Sequence, residues 1–212
     1  MADAIAVIDY GSGNIQSIAN ALRRCASPAQ SVVVTADPAV IAEAERLVLP
    51  GVGAFAACMQ KLLASELFPA LELAVRNGRP LLGICVGMQI LAREGHEFGT
   101  CSGLGWLPGV VRLISFSADD EGARKLPHIG WTPVDLGDCS LFEDLPRTCY
   151  FYFVHSYVLS QTNPCHVVAT AAYGETFPAA VLHQNIFACQ FHPEKSDQPG
   201  LRLLENFCRW TP

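Results

Sequence analysis

Residues 83–87 read Gly-Ile-Cys-Val-Gly, a G-x-C-x-G placed where an apolar run gives way to a helical stretch. A nucleophile flanked by glycines two positions away, on a turn from strand into helix, is the nucleophile-elbow pattern, here with cysteine in the place of serine. The turn forces the central residue into a strained backbone conformation, and the glycines let strand and helix approach closely. Cys85 then stands at a helix N-terminus, where unpaired N–H groups favour a thiolate. Taken alone, the motif also fits a buried structural cysteine between glycines, because free cysteine is commonly a small core residue.

A thiol nucleophile needs a base that is adjacent in space, not in sequence. His192-Pro193-Glu194 follows the apolar run 186–190 and so falls at a strand end. In extended backbone, residues two apart point the same way, and Glu194 could orient the His192 ring as the third member of a triad. The bland alternative is a loop histidine beside a solvated carboxylate. Pro50-Gly51-Val52-Gly53 also ends an apolar run. Its glycines permit a peptide orientation that aims the Val52 and Gly53 N–H groups inward. The N–H of Val86, just after the nucleophile, would supply the other donor of an oxyanion hole. Each such donor typically contributes about 10²–10³ in rate; a plain turn is the competing reading of this segment.

These residues need a scaffold, and the first half of the chain supplies an alternating one. Residues 5–8 read as a strand, followed by a Gly-Ser-Gly-Asn turn and a helix over about 15–24. Residues 31–35 (SVVVT) are β-branched and strand-like. Asp37-Pro38 marks a helix start, with aspartate as cap and proline in the first turn. Residues 46–49 form a third strand, a helical region runs to the stop at Asn77-Gly78, and residues 80–84 form a fourth strand leading into Cys85. In the second half, residues 110–114, 150–154, 167–172 and 186–190 read as strands with mostly short connections, added antiparallel to the same sheet. Residues 201–210 read as a closing helix. The expected fold is α/β: a doubly wound, mostly parallel sheet with antiparallel additions and helices on both faces.

Composition agrees with a chain of this kind. The 212 residues are 50% hydrophobic and only 16% charged, enough for one large buried core. No repeat, low-complexity tract or linker interrupts them, so one domain over residues 1–212 is expected. A net charge of −6 without a basic stripe argues against nucleic acid, and no apolar run approaches the ~20 residues of a membrane span. The N-terminus has no secretory signature. Nine cysteines lack the close pairs of a zinc site and the spacing of a disulfide scaffold, which suggests reduced thiols in a cytoplasmic protein and no metal. No P-loop or dinucleotide fingerprint appears, so no cofactor is expected.

Six segments together carry a family resemblance: IDYGSGN (8–14), PGVGAF (50–55), GICVGMQ (83–89), LPHIGW (126–131), YFVHSY (152–157) and QFHPEKS (190–196). They resemble the class I, triad-type glutamine amidotransferases, with Cys85, His192 and Glu194 on the triad positions. Within that class the chain is similar to the glutaminase subunits of imidazole glycerol phosphate synthase, in histidine biosynthesis. The resemblance implies hydrolysis of L-glutamine through a glutamyl thioester. It implies that Gly53, Gln89, Glu97 and His155-Ser156-Tyr157 hold the substrate, Glu97 opposite its α-ammonium, although Glu97 also fits an ordinary solvated glutamate. It implies a (β/α)₈-barrel cyclase subunit that receives the ammonia, with Asn14, Trp131 and Lys195 near the interface; Trp131 fits a core position equally well. In the free subunit Gly51-Val52-Gly53 is expected to turn its N–H groups away from the oxyanion position, a flip that its two glycines make sterically cheap. Ala188, Ser12 and Val86 depart from the usual family residues, all away from the triad. The polar stretch 115–125 reads as an exposed loop. Another triad glutaminase, a catalytically silent subunit on the same fold and a cysteine peptidase are the competing readings.

Overall fold

Strands buried on both faces should read as continuous apolar runs, and half-exposed strands as alternating ones. Both kinds are present in a computed structural model that describes residues 3–116 and 125–212. The chain runs through β1 (Ala4–Ile8), α1 (Ile15–Cys25), β2 (Ser31–Thr35), α2 (Pro38–Glu43), β3 (Arg46–Gly51), α3 (Phe55–Ala64), α4 (Leu67–Arg76), β4 (Leu81–Cys85) and α5 (Val86–Gln89). It continues through β5 (Glu94–Gly95), β6 (Cys101–Ser102), β7 (Val110–Leu113), β8 (His128–Leu136), β9 (Thr148–His155), β10 (Tyr157–Ser160), β11 (Val167–Tyr173), β12 (Glu175–His183), β13 (Ile186–Cys189) and α6 (Asp197–Arg209).

Among the described residues a nine-stranded sheet has the order β2-β1-β3-β4-β13-β12-β11-β8-β9. The first five of these are parallel to one another and the remaining pairings are antiparallel. The parallel half lies at the centre of the core: AIAVI in β1 and LLGIC in β4 are buried at every position. Helices flank the sheet, with α1 packed on α6 and α2 on α4. The expected α/β architecture is what forms. Asp37 caps α2, its side chain accepting from the Ala39 N–H at 2.9 Å. The long helical region expected before Gly78 is two helices, because Ser65 turns back on Leu62 through both its N–H and its hydroxyl.

One expectation is corrected. The strand at 110–114 does not join the large sheet: β7 pairs with β10 and β5 in a separate four-stranded sheet of order β10-β7-β5-β6. The chain leaves the large sheet between β9 and β10 at Ser156, and β7 follows it. Strand partners are long-range, and local patterning does not encode them. The exposed loop expected at 115–125 lies mostly outside the described residues.

β8 is invisible to strand patterning because Gly130 and Pro133 interrupt it. Among the described residues, 128–133 of β8 pair only with β9, since β11 reaches only Val134, Asp135 and Leu136. Pro133 therefore sits on a locally open edge, where its missing N–H costs no ladder bond.

Candidate active site

β3, β4 and β13 are neighbours and parallel, so their C-terminal ends meet at one edge of the sheet. Ligands of open α/β sheets bind outside such ends. Gly51 at the end of β3 stands in register with Cys85 at the end of β4, and β13 leads through Gln190 and Phe191 to His192. Segments far apart in sequence are brought together by topology alone.

Cys85 has φ 54° and ψ −114°, a conformation in which a side chain is strained. The strain is held by close packing of α5 on β3. A Cβ on Gly87 would lie 2.0 Å from the Leu49 carbonyl oxygen, and one on Gly51 would lie 2.5 Å from the Gly87 nitrogen. Both glycines are required by that contact.

His192 Nδ1 lies 2.8 Å from Glu194 Oε1, and both side chains are buried. The extended backbone expected through His-Pro-Glu is corrected: Pro193–Lys195 is a single 3-10 turn, and the turn swings Glu194 against the ring. Ser196, to which sequence reading gave no role, fixes the turn. Its hydroxyl donates to the His192 carbonyl at 2.6 Å and accepts from the Tyr152 N–H at 2.9 Å. Burial alone pushes the His192 ring down, but the nearby Cys85 sulfur and the hydrogen bond and charge of Glu194 outweigh it and hold the ring up at about 9. Nε2 has no partner at hydrogen-bonding geometry among the described residues. The pull of Cys85 is therefore that of a nearby sulfur rather than of a formed bond.

The raised value has a definite sign. A charged His192 contributes fully to stability below its unfolded value of about 6.5, and the contribution is lost as pH rises through about 9. In Glu194→Gln the His192 ring should titrate about 1–3 pH units lower, because the neighbouring negative charge is gone. An NMR titration of the ring protons reads this directly; an unchanged midpoint would remove Glu194 as the source of the shift.

In front of Cys85 and His192 lies a cavity of about 370 Å³. It is also lined by Val52, Gly53, Val86, Gln89, Glu97, His155, Ser156, Tyr157 and Lys195, all singled out from sequence, and by Pro127 and Val154, which were not. A recess of about 440 Å³ between α4 and the C-terminus contains none of these residues. Converging titratable and polar groups, rather than volume, identify the functional cavity.

The residues expected on the substrate side are tightly organised. Glu97 is no freely solvated carboxylate: its Oε2 accepts from the Phe55 N–H at 2.7 Å, at the start of α3. Gln89 donates through Nε2 to the Tyr157 carbonyl and to Gln190 Oε1, both at 3.0 Å, and lines the cavity. His155 Nδ1 also lies 3.0 Å from the Tyr157 carbonyl. A carbonyl only accepts, so His155 carries its proton on Nδ1 and accepts at Nε2 from His128 Nδ1, 2.9 Å away. Burial pushes His155 down to about 3, which keeps it neutral. His128, bonded in turn to Thr132 at 2.7 Å, is a second residue without an assigned sequence role.

The segment expected to supply oxyanion donors has a specific orientation. Val52 N lies 3.5 Å from Ser12 Oγ, and the Val52 carbonyl accepts from the Ser12 hydroxyl at 2.9 Å and the Cys58 thiol at 3.4 Å. The Val52 N–H is thus turned towards Ser12. The Gly53 N–H, on the opposite side of the planar peptide from the Val52 carbonyl, points away from Ser12 and Cys58.

The three residues expected at an interface are placed separately. Lys195 lies at the cavity with Nζ 5.9 Å from the Tyr152 ring centre. Trp131 packs edge-on against that ring at 6.0 Å and is 47% exposed, so it is not an interior tryptophan. Asn14 stands half-buried at the start of α1 without making a side-chain cap, and does not line the cavity.

The sheet edge and its cavity define an enzyme of the glutamine amidotransferase type, and the family model for glutamine amidotransferase class-I matches residues 6–210. Solved structures share the fold. PurLQS from Thermotoga maritima superposes with a TM-score of 0.72 at 17% identity, over 99% of each chain. A structure described as a glutamine amidotransferase is comparable (TM-score 0.71, 19% identity, 97% of this chain and 99% of that one). Sequence relatives narrow the class. Imidazole glycerol phosphate synthase subunit HisH of Zymomonas mobilis is 46% identical over 98% of this chain and 96% of its own. The HisH subunit of Caulobacter vibrioides is 44% identical over 98% and 99%. The chain belongs to this HisH family of glutamine amidotransferases.

Proposed function

We propose that the chain, acting as one domain over residues 1–212, hydrolyses L-glutamine for a synthase of histidine biosynthesis. The Cys85 thiolate attacks the side-chain amide carbon. His192, held by Glu194, protonates the departing nitrogen, so ammonia leaves and a glutamyl thioester remains. Water then attacks the thioester, gives a proton to His192, and releases glutamate and the thiolate. Val86, with Val52 or Gly53, stabilises the oxyanion. Glu97 meets the substrate's ammonium, while Gly53, Gln89 and the 155–157 segment hold the rest. The observation that carries this reading is the meeting of Cys85 and His192 at one cavity, with the buried Glu194 side chain held behind the His192 ring, in a chain of the HisH family.

The ammonia goes to a (β/α)₈-barrel cyclase subunit in a heterodimer, which forms imidazole glycerol phosphate and aminoimidazole carboxamide ribonucleotide, the lyase half of the reaction. Support for a docking face comes from Ile129, Trp131 and Tyr150, exposed together on β8 and β9 beside Lys195. The free subunit is held inactive by the turned Val52 N–H, a reading supported by its contact with Ser12 Oγ. Cytoplasmic location fits this role, and among the described residues no helix is long and apolar enough to cross a membrane.

Glutamate release, measured for the chain alone and then with a barrel cyclase carrying its nucleotide substrate, tests the proposal. Strong activation by the partner is expected. Steady activity that ignores the partner would remove both the assigned partner and the inactive resting peptide.

A further inference from the structure

The wall behind the nucleophile holds a polar side chain that the reaction above does not use. Gln190 is completely buried just beyond β13, two residues before His192. Its Nε2 lies 3.7 Å from Cys85 Sγ. Which end of the amide faces the sulfur is fixed from the far side of the network. The Tyr157 carbonyl can only accept, so the group of Gln89 that meets it is the amide nitrogen. The same nitrogen lies 3.0 Å from the Gln190 amide. Turning that amide over would set two NH₂ groups face to face. The Gln190 carbonyl therefore faces Gln89 and its N–H faces the sulfur.

We propose that Gln190 is a catalytic residue: it donates a hydrogen bond to the Cys85 sulfur and holds it as a directed thiolate, with Gln89 and the Tyr157 carbonyl fixing the donor. The proposal rests on Cys85 being the nucleophile. A hydrogen bond to a charged acceptor is stronger than one to a neutral acceptor. The contact therefore favours the thiolate over the thiol and over the thioester sulfur. It weakens as the S–C bond forms and returns as water releases glutamate, so it assists the sulfur's departure in the second half of the reaction. Gln190 does not line the cavity, whereas Gln89 does. Its loss should therefore act on turnover and leave glutamine affinity nearly unchanged.

Two variants separate this role from packing. Gln190→Met keeps the length and removes both polar ends. Gln190→Glu keeps the shape and the acceptor towards Gln89 but turns an acceptor to the sulfur. In the complex with the cyclase, kcat for glutamate release should fall about tenfold or more in Gln190→Met with KM within about twofold, and at least as far in Gln190→Glu. Alkylation of Cys85 by iodoacetamide, followed at the peptide level on the chain alone, should slow in the same order. A packing role predicts the reverse order, because glutamate preserves both the shape and the bond to Gln89. That reverse order, or unchanged kcat and alkylation in Gln190→Met, overturns the proposal. If the methionine variant does not fold, wild-type turnover in Gln190→Glu overturns it equally. Failure of the underlying reading looks different: the unmodified chain would then not be labelled at Cys85 by a diazoketone analogue of glutamine, and Cys85→Ala would keep its activity.

Discussion

In Cys85→Ala, glutamate release in the presence of the cyclase should fall by about 10⁴-fold or more, the scale on which loss of a triad nucleophile acts. No other sulfur can replace it. Cys189, opposite Ile84 on the neighbouring strand β13, is completely buried, and burial, with the negative charge of Glu194 nearby, pushes its thiol well up from the ordinary value. The variant should still fold, since alanine keeps the Cβ and only the sulfur is removed from the end of β4. Glutamine should still enter the cavity, because Glu97 and the 155–157 segment are unchanged. A companion variant, Cys85→Gly, should be as inactive but more stable, by about 1 kcal/mol, since the φ of 54° strains every residue except glycine. Chemical denaturation of the two variants measures that difference. Residual turnover within tenfold of wild type in Cys85→Ala would remove the nucleophile from the mechanism.

The second large effect is structural. Gly87→Ala places a methyl group 2.0 Å from the Leu49 carbonyl oxygen and about 3 Å from the Leu49 and Pro50 carbonyl carbons. All three are backbone atoms of a central strand with a strand paired on each side, so no flexible side chain can give way. Relief requires α5 to lift off β3. That movement carries Cys85 and the Val86 N–H away from the cavity. Destabilisation of about 3–5 kcal/mol is expected, a large share of the ~5–15 kcal/mol that holds a typical domain together. Thermal unfolding should show a midpoint lowered by about 10 °C. Alkylation of Cys85 in the folded fraction should lose its rate as well. A stable Gly87→Ala protein with normal turnover would show that the elbow does not depend on this contact.

Much of the fold was legible because its central parallel strands are short continuous apolar runs ending in turn residues. β1 to β4 sit within one or two residues of the runs read from sequence. The antiparallel part was less legible. β8 contains Gly130 and Pro133, which local propensity excludes from a strand, yet an open edge tolerates them. β7 has the right pattern but the wrong expected partner, since its pairing with β10 depends on where the chain leaves the large sheet.

The reactive groups were legible in a different way. Cys85, His192 and Glu194 stand in motifs whose local geometry limits what they can do, and the remaining cavity residues lie in segments that carry the family resemblance. Ser196, His128 and Gln190 lie in those same segments, in plain view, but nothing local assigns them a task. Each acts through a partner at least 27 positions away: Ser196 on the Tyr152 N–H, His128 on His155, Gln190 on the Cys85 sulfur.

The sequence by itself determined the kind of chemistry, because a thiol between glycines at a strand end and a His-x-Glu downstream are set by residue type and short spacing. It also determined the parallel core, because burial on both faces writes itself into a run of apolar residues. Only the tertiary structure decided that the 3-10 turn, not an extended strand, presses Glu194 on His192. It alone decided that the Val52 N–H is turned to Ser12 and that the Gln190 amide shows its N–H to the sulfur. Those are directions of hydrogen-bonding groups, and a direction is fixed by the acceptor it meets across the fold, which local sequence does not contain.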